Sequence, residues 1–299
     1  MTSPVAPPPA AERPLPAIAA QFVCFTLVSI ADAILKIIVA EAPSWQIMAM
    51  RSASSLLILT PIILVQMARG RATLRTSRLK AHILRAALSA VSVFAYFEAL
   101  RELDLPVATA ILFVTPFFVV MLSGLVLREK VGLNRWIAVA IGFVGALVII
   151  RPGPEGVSLA ALLAVLSAAT WGAAMVAIRA LGKTEGTLSI LFYFNLFICL
   201  IALAFALPGW QPVPGWLIAT ILLNAAIQLV AQSFMLMAFR FASASVSAPV
   251  QYTQLLWSVA AGWFVFNVFP GPQVFAGAAI IVASGLYLIW SERRPRRSS

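Results

Sequence analysis

Asp32 and Lys36 stand four residues apart inside one apolar run, acid first, the order that sets a carboxylate and an ammonium on one helical face as a favourable pair. Arg51 and Glu98 add one charge of each sign from other apolar runs. An ionisable side chain near the middle of a bilayer costs at least ~2.5 to 3.5 kcal/mol on insertion scales. These four are therefore candidates for an outer gate, a coupling group, or a dock for the ammonium and carboxylate of a zwitterion. The competing reading is a structural pair plus interfacial side chains that snorkel.

Polar residues also recur at helical spacing. Arg85, Ser89, Ser92 and Tyr96 form one stripe, Asn224, Gln228 and Gln232 a second, and Ser247, Gln251, Gln254 and Ser258 a third. An amide facing hydrocarbon leaves donors and acceptors unmet at a cost of several kcal/mol, on the order of transfer data. The stripes must face either one another, as glue between helices, or a watery cavity for a polar solute. Phe113, Trp171, Tyr252 and Trp257, with Tyr96, could line such a cavity for a flat or cationic molecule, or serve as core and interfacial anchors. Pro61, Pro116 and Pro249 fall inside apolar runs, where proline kinks a helix and could supply hinges.

Such residues need elements that hold them in lipid. Of the 299 residues, 62% are hydrophobic and 10% charged, too little polar surface for a water-soluble globule. Because about 20 residues at 1.5 Å rise cross the hydrocarbon core, apolar runs predict ten spanning helices. They lie at roughly 17–40, 45–67, 81–100, 106–127, 133–151, 157–178, 187–207, 214–239, 244–267 and 272–291. The expected fold is an all-α integral membrane protein, with a disordered tail over residues 1–16 and a basic tail over 292–299.

The stretch from Ala99 to Arg151 returns at Ala238 to Ser291, shifted by about 139 to 140 positions, with Arg101 on Arg240 and Val107 on Val246. The repeat predicts five-helix halves over 17–151 and 157–291. Five is odd, so the second half enters the membrane inverted. Charge agrees. Arg69, Arg71, Arg75, Arg78 and Lys80, then Arg128, Lys130 and Arg135, occupy breaks on the side of both termini, which places the termini in the cytoplasm. In the second copy Asn267 and Phe269 stand opposite Arg128 and Lys130. The net charge of +11 is thus membrane orientation, and nucleic acid is not an expected partner.

Other chemistry is thinly represented. Cys24 and Cys199 sit in apolar runs without metal-ligand or disulfide spacing and read as packing residues. His82, the sole histidine, lies in the most basic break and reads as solvated or interfacial. Gly182, Lys183 and Thr184 imitate the end of a phosphate loop, but Ala177 replaces its first glycine. No metal, cofactor or enzymatic nucleophile is expected, and nothing demands a second copy beyond a monomer.

The apolar helix ending in Lys36, followed by Pro43 and Arg51, the run LPVATAILFVTPFFVVMLSGLVLREKV with Glu129, and Gly142 and Gly145 resemble the EamA-type branch of the drug/metabolite transporter superfamily. The second half departs from that pattern, with Val268 or Phe269 in place of a glutamate and Phe194 in place of a basic residue. The resemblance implies a bacterial inner-membrane carrier with a central cavity between the halves. The expected function is alternating-access transport, with export favoured, of amino acids or related zwitterions. The alternatives are a larger metabolite such as a nucleotide derivative or vitamin, a cationic drug, or a non-transporting membrane enzyme or assembly factor.

Overall fold

A peptide group in hydrocarbon finds no water, so each apolar run has to close its hydrogen bonds within itself as a helix. The computed structural model describes residues 14–71, 73–126, 133–151, 157–182, 185–241 and 248–293, and among these the regular structure is helical throughout. In chain order the helices are α1 Pro14–Ile38, α2 Ser44–Ala68, α3 Leu79–Glu102, α4 Leu105–Leu112, α5 Thr115–Val126 and α6 Leu133–Ile150. There follow α7 Leu159–Gly182, α8 Thr187–Ala206, α9 Gly215–Phe241, α10 Thr253–Phe266 and α11 Pro272–Arg293. Single turns of 3-10 helix, Leu207–Gly209 and Ala248–Tyr252, follow α8 and precede α10.

The described residues show fewer long spans than the ten spanning helices expected. Among the described residues six helices are long and apolar enough to cross a membrane: Leu15–Ile38, Ser44–Ala68, Leu79–Glu102, Leu159–Ile178, Thr187–Gly209 and Gly215–Ala238. The fourth run is divided into α4 and α5, and the ninth opens with a 3-10 turn before α10. The first break is a tightened turn: Phe113 N–H donates to Ala110 O at 3.2 Å, Val114 to Ile111 O at 3.1 Å and Phe117 to Val114 O at 3.0 Å. Pro116 and Pro249 do not kink continuous helices as expected. Each is the second residue of its segment, where the missing N–H is no loss. Only Pro61 lies within an unbroken helix, α2.

The outer surface is apolar, with Leu57, Leu64 and Phe264 well exposed, while Gln46, Arg85, Ser89 and Asn224 are buried. That inversion is what lipid as solvent requires. α1 packs along α9, α3 along α7, α2 along α8 and α6 along α11. The α6–α11 seam is closest at Gly145 and Gly277. A methyl group built on Gly277 would stand 2.5 Å from the carbonyl oxygen of Gly145, and one on Gly145 would stand 2.8 Å from that of Gly277. Two glycines facing each other let the backbones touch.

Lys36 does not pair with Asp32. Its ammonium reaches across to the end of α3, donating to the carbonyls of Leu100 and, at 2.8 Å, Leu103. The last carbonyls of a helix have no partner within it and carry its negative dipole end, so a cation there is favoured over a carboxylate one turn back. Replacing Lys36 with methionine should lower the midpoint of thermal unfolding in detergent by a few degrees, in keeping with loss of about 1–2 kcal/mol. An unchanged midpoint would deny Lys36 this role.

Part of the sequence reading lies outside the described residues: most of the amino-terminal tail, the carboxy-terminal residues 294–299, Ser247, Lys183, Thr184, and the turn carrying Arg128, Glu129 and Lys130. So do the side chains of Arg135, Arg179, Arg240 and Pro249.

Candidate substrate site

Helix pairing brings four polar groups from four helices to one place. α9 is pinned to α1 where Asn224 Nδ2 donates to the carbonyl of Ala31 at 2.7 Å. The next residue on α1, Asp32, points across to α10, where Gln254 Nε2 donates to Asp32 Oδ2 at 3.1 Å. Tyr96 of α3 brings its hydroxyl to the same carboxylate, and Thr109 of α4 brings its own to that of Tyr96. Neither hydroxyl meets hydrogen-bond geometry, although both are buried. Arg51 of α2 senses Asp32 electrostatically, and its guanidinium lies 5.0 Å from the centre of the Phe97 ring.

A buried carboxylate held by one well-placed amide donor and a loosely placed phenol is under-satisfied, and in low dielectric that is costly. Its charge is balanced at a distance by Arg51 without an ion pair. Such a centre can accept hydrogen bonds from, and neutralise, a polar solute that brings its own donors. The Phe97 ring lies against the Arg51 guanidinium, and Phe113 and Tyr252 sit at the ends of α4 and of the 3-10 turn, segments that pack against α1. Phe113 meets Tyr252 edge-on with ring centres 5.3 Å apart.

The four charges read together from sequence do not converge. Asp32 and Arg51 belong to this centre. Lys36 caps α3, and Glu98 pairs on its own helix with Arg101 at 3.4 Å, both side chains about 30% exposed. Glu98 looks out because α3 ends there. A depression of about 600 Å³ lies beside it, lined in part by Trp45, Phe94, Glu98 and Arg101. A second groove, of about 400 Å³ along α10 and α11, is mostly apolar and excludes Asp32, Arg51 and Gln254.

The polar stripes divide in the same way. Ser92 Oγ donates to the carbonyl of Ser167 on α7 at 2.9 Å and acts as glue, as the competing reading had it. Ser89 is fully buried on the same face with no partner. Gln228 buries its carbonyl oxygen unpaired, while Gln232 is half-buried. Gln251 bonds to its neighbour Tyr252, and Ser258 donates to the carbonyl of Leu255 on its own helix. Trp171 is half-buried on α7. Trp257 is 40% exposed and packs edge-on to Phe22, 6.3 Å away.

His82 is the clearest correction. It is 1% exposed, not solvated, with its ring 4.8 Å from that of Tyr193. Sequence reasoning also missed Thr109 and Phe97. A threonine and a phenylalanine in an apolar run carry no periodic signal. Among the described residues no group of three or more His, Cys, Asp or Glu side chains could hold a metal ion.

A profile of the EamA-like transporter family matches residues 15–151 and again residues 158–291. This chain belongs to the EamA-like transporter family. An EamA protein is a transporter and not an enzyme, which closes the membrane-enzyme alternative. It is 34% identical over 229 residues to a riboflavin transporter of Rhizobium johnstonii, covering 76% of each chain. It is 27% identical over 270 residues to an S-adenosylmethionine uptake transporter of Rickettsia prowazekii, covering 90% of this chain and 91% of that one. A pseudopaline exporter of Pseudomonas aeruginosa is 28% identical over 266 residues, 87% of this chain and 91% of the relative. One solved protein structure superposes with a TM-score of 0.63 at 16% identity, over 93% of this chain and 99% of the other, and shares the fold. None of these names supports the amino-acid preference, and they include both an uptake transporter and an exporter; the metabolite and vitamin alternative agrees with them better.

Proposed function

We infer that this EamA protein is a secondary carrier for a medium-sized metabolite with a flat heteroaromatic ring and polar substituents, of the riboflavin or S-adenosylmethionine kind. The observation that carries this is the buried Asp32–Gln254 bond with the Tyr96 hydroxyl at the same carboxylate, and with the rings of Phe97, Phe113 and Tyr252 on segments that pack against α1. A flat ring is held by aromatic edges, and its ribityl, amino or sulfonium groups answer the carboxylate. Asp32, Arg51, Tyr96, Asn224, Gln228 and Gln254 are the residues proposed to meet the substrate.

The working arrangement is ten crossings in two inverted halves, 17–151 and 157–291, in a bacterial inner membrane with both termini cytoplasmic. Three things support it: the family profile matches twice, basic residues crowd alternate breaks, and packing is reciprocal, α1 on α9 and α3 on α7. The fourth and ninth crossings would be broken helices, a form that membrane carriers tolerate where backbone lines a cavity.

Counterflow into proteoliposomes tests the reading. With riboflavin, S-adenosylmethionine and a panel of amino acids as labelled solutes, saturable exchange of one of the first two is expected. Saturable exchange of amino acids alone would overturn the substrate class, and absence of any saturable flux would overturn the carrier reading for these solutes.

A further inference from the structure

α2 and α8 pack against each other, and each begins beside the loop that follows the other's end. At the start of α2, Gln46 Nε2 donates to the carbonyl of Gln211 at 2.6 Å, and the Gln211 N–H returns a bond to Gln46 Oε1 at 3.0 Å. Gln211 lies just beyond α8. At the start of α8, Ser189 Oγ donates to the carbonyl of Thr73 at 2.6 Å, and Tyr193 Oη donates to that of Leu74 at 2.7 Å. Thr73 and Leu74 lie just beyond α2. The same connection is thus made twice, at opposite ends of one helix pair, by residues at matching places: the third residue of each helix, Gln46 and Ser189, holds the loop after the other.

Each connection has a brace. Arg101, at the end of α3, donates to the carbonyl of Ala42 at 2.5 Å and lies 3.3 Å from Ser44 Oγ, fixing the turn before α2. At the other end Thr76 Oγ1 donates to Glu185 Oε1 at 2.7 Å, and His82 Nε2 lies 3.9 Å from the second oxygen of Glu185. Thr76, in the loop after α2, is thereby tied to the turn before α8. These contacts are side chain to backbone or side chain to side chain, between segments more than 50 residues apart. They can break without unravelling a helix.

We propose that the two connections are latches, one closing each end of the carrier, and that they open in alternation. Both are made in this structure. The proposal rests on the carrier reading above, because a protein that moves no solute has no need of two releasable ends. It differs from a static account in one respect. A strut must stay made for the fold, whereas a latch must break once per cycle at each end.

Disulfides test this directly. In a parent carrying Cys24→Ala and Cys199→Ala, one variant adds Gln46→Cys with Gln211→Cys and another adds Thr73→Cys with Ser189→Cys. Each pair should cross-link on mild oxidation in membranes. Failure of either pair to cross-link removes the geometry on which the latches stand. A reporter, Gln254→Cys, is then labelled with a membrane-impermeant maleimide in right-side-out and inside-out vesicles. Closing one pair should lower labelling from its own side at least tenfold and spare the opposite side, and reductant should restore it. Labelling unchanged from both sides would make the connections struts and overturn the proposal. This readout needs no substrate. A parent that exchanges neither riboflavin nor S-adenosylmethionine would count against the substrate reading, while labelling still decides the latches.

Discussion

Asp32→Asn should cut counterflow at least tenfold with little change in the amount of folded protein. Asparagine keeps an oxygen for the amide of Gln254, so the α1–α10 contact survives, while the charge that answers a substrate's donors is gone. A hydrogen bond to a charged group contributes ~1.5 to 3 kcal/mol, about ten- to a hundredfold in rate or affinity. Gln254→Ala should cost less, about two- to tenfold, because the carboxylate remains. Glu98→Gln should stay within about twofold of the parent, since Glu98 pairs with Arg101 on its own helix with about 30% of each side chain exposed. The contrast matters more than either value. Asp32→Asn at the parental rate, or equal losses from Asp32→Asn and Glu98→Gln, would remove Asp32 from the transport path.

The largest loss of stability should come from Gly277→Ala. In an isolated helix that change is favourable by roughly 1 kcal/mol. Here the added methyl meets the Gly145 carbonyl and Ile149 Cγ1, each 2.5 Å away, and a helix backbone cannot give way as a side-chain tip does. Overpacking of this kind costs ~1 to 3 kcal/mol and sometimes more, so the sign reverses. Gly215→Ala is the control, because a methyl there meets nothing within 4 Å at the start of α9. Unfolding midpoints in detergent should fall for Gly277→Ala and hold or rise for Gly215→Ala. A rise in both would mean that α6 and α11 are not in close contact.

Helix positions were legible because lipid imposes one rule on every apolar run. Where α4 stops was not legible, because Pro116 restrains the residues before it without saying whether the chain kinks or breaks. The charges show the same limit from another side. Their cost in hydrocarbon singled out Asp32, Lys36, Arg51 and Glu98, but one-turn spacing could not say that Lys36 prefers the carbonyls of α3 to the carboxylate on its own helix. Amide spacing found Asn224 and Gln254, whose partners come from a distant helix. It could not find Thr109 or Phe97, which matter through tertiary contact alone. His82 was readable only as a lone histidine in basic surroundings, and the packing of α3 against α8 is what makes Glu185 its neighbour.

Phe113 and Tyr252 occupy the same place in the two copies, and their rings touch. In the proposed arrangement of two inverted halves, a residue that meets its own counterpart would lie on the axis that exchanges them, the line that a rocking motion would leave unmoved. The helices at either end would swing while this pair keeps its place, as a fulcrum does under a balance. A phenyl ring there meets a phenol, so the balance is not even-armed.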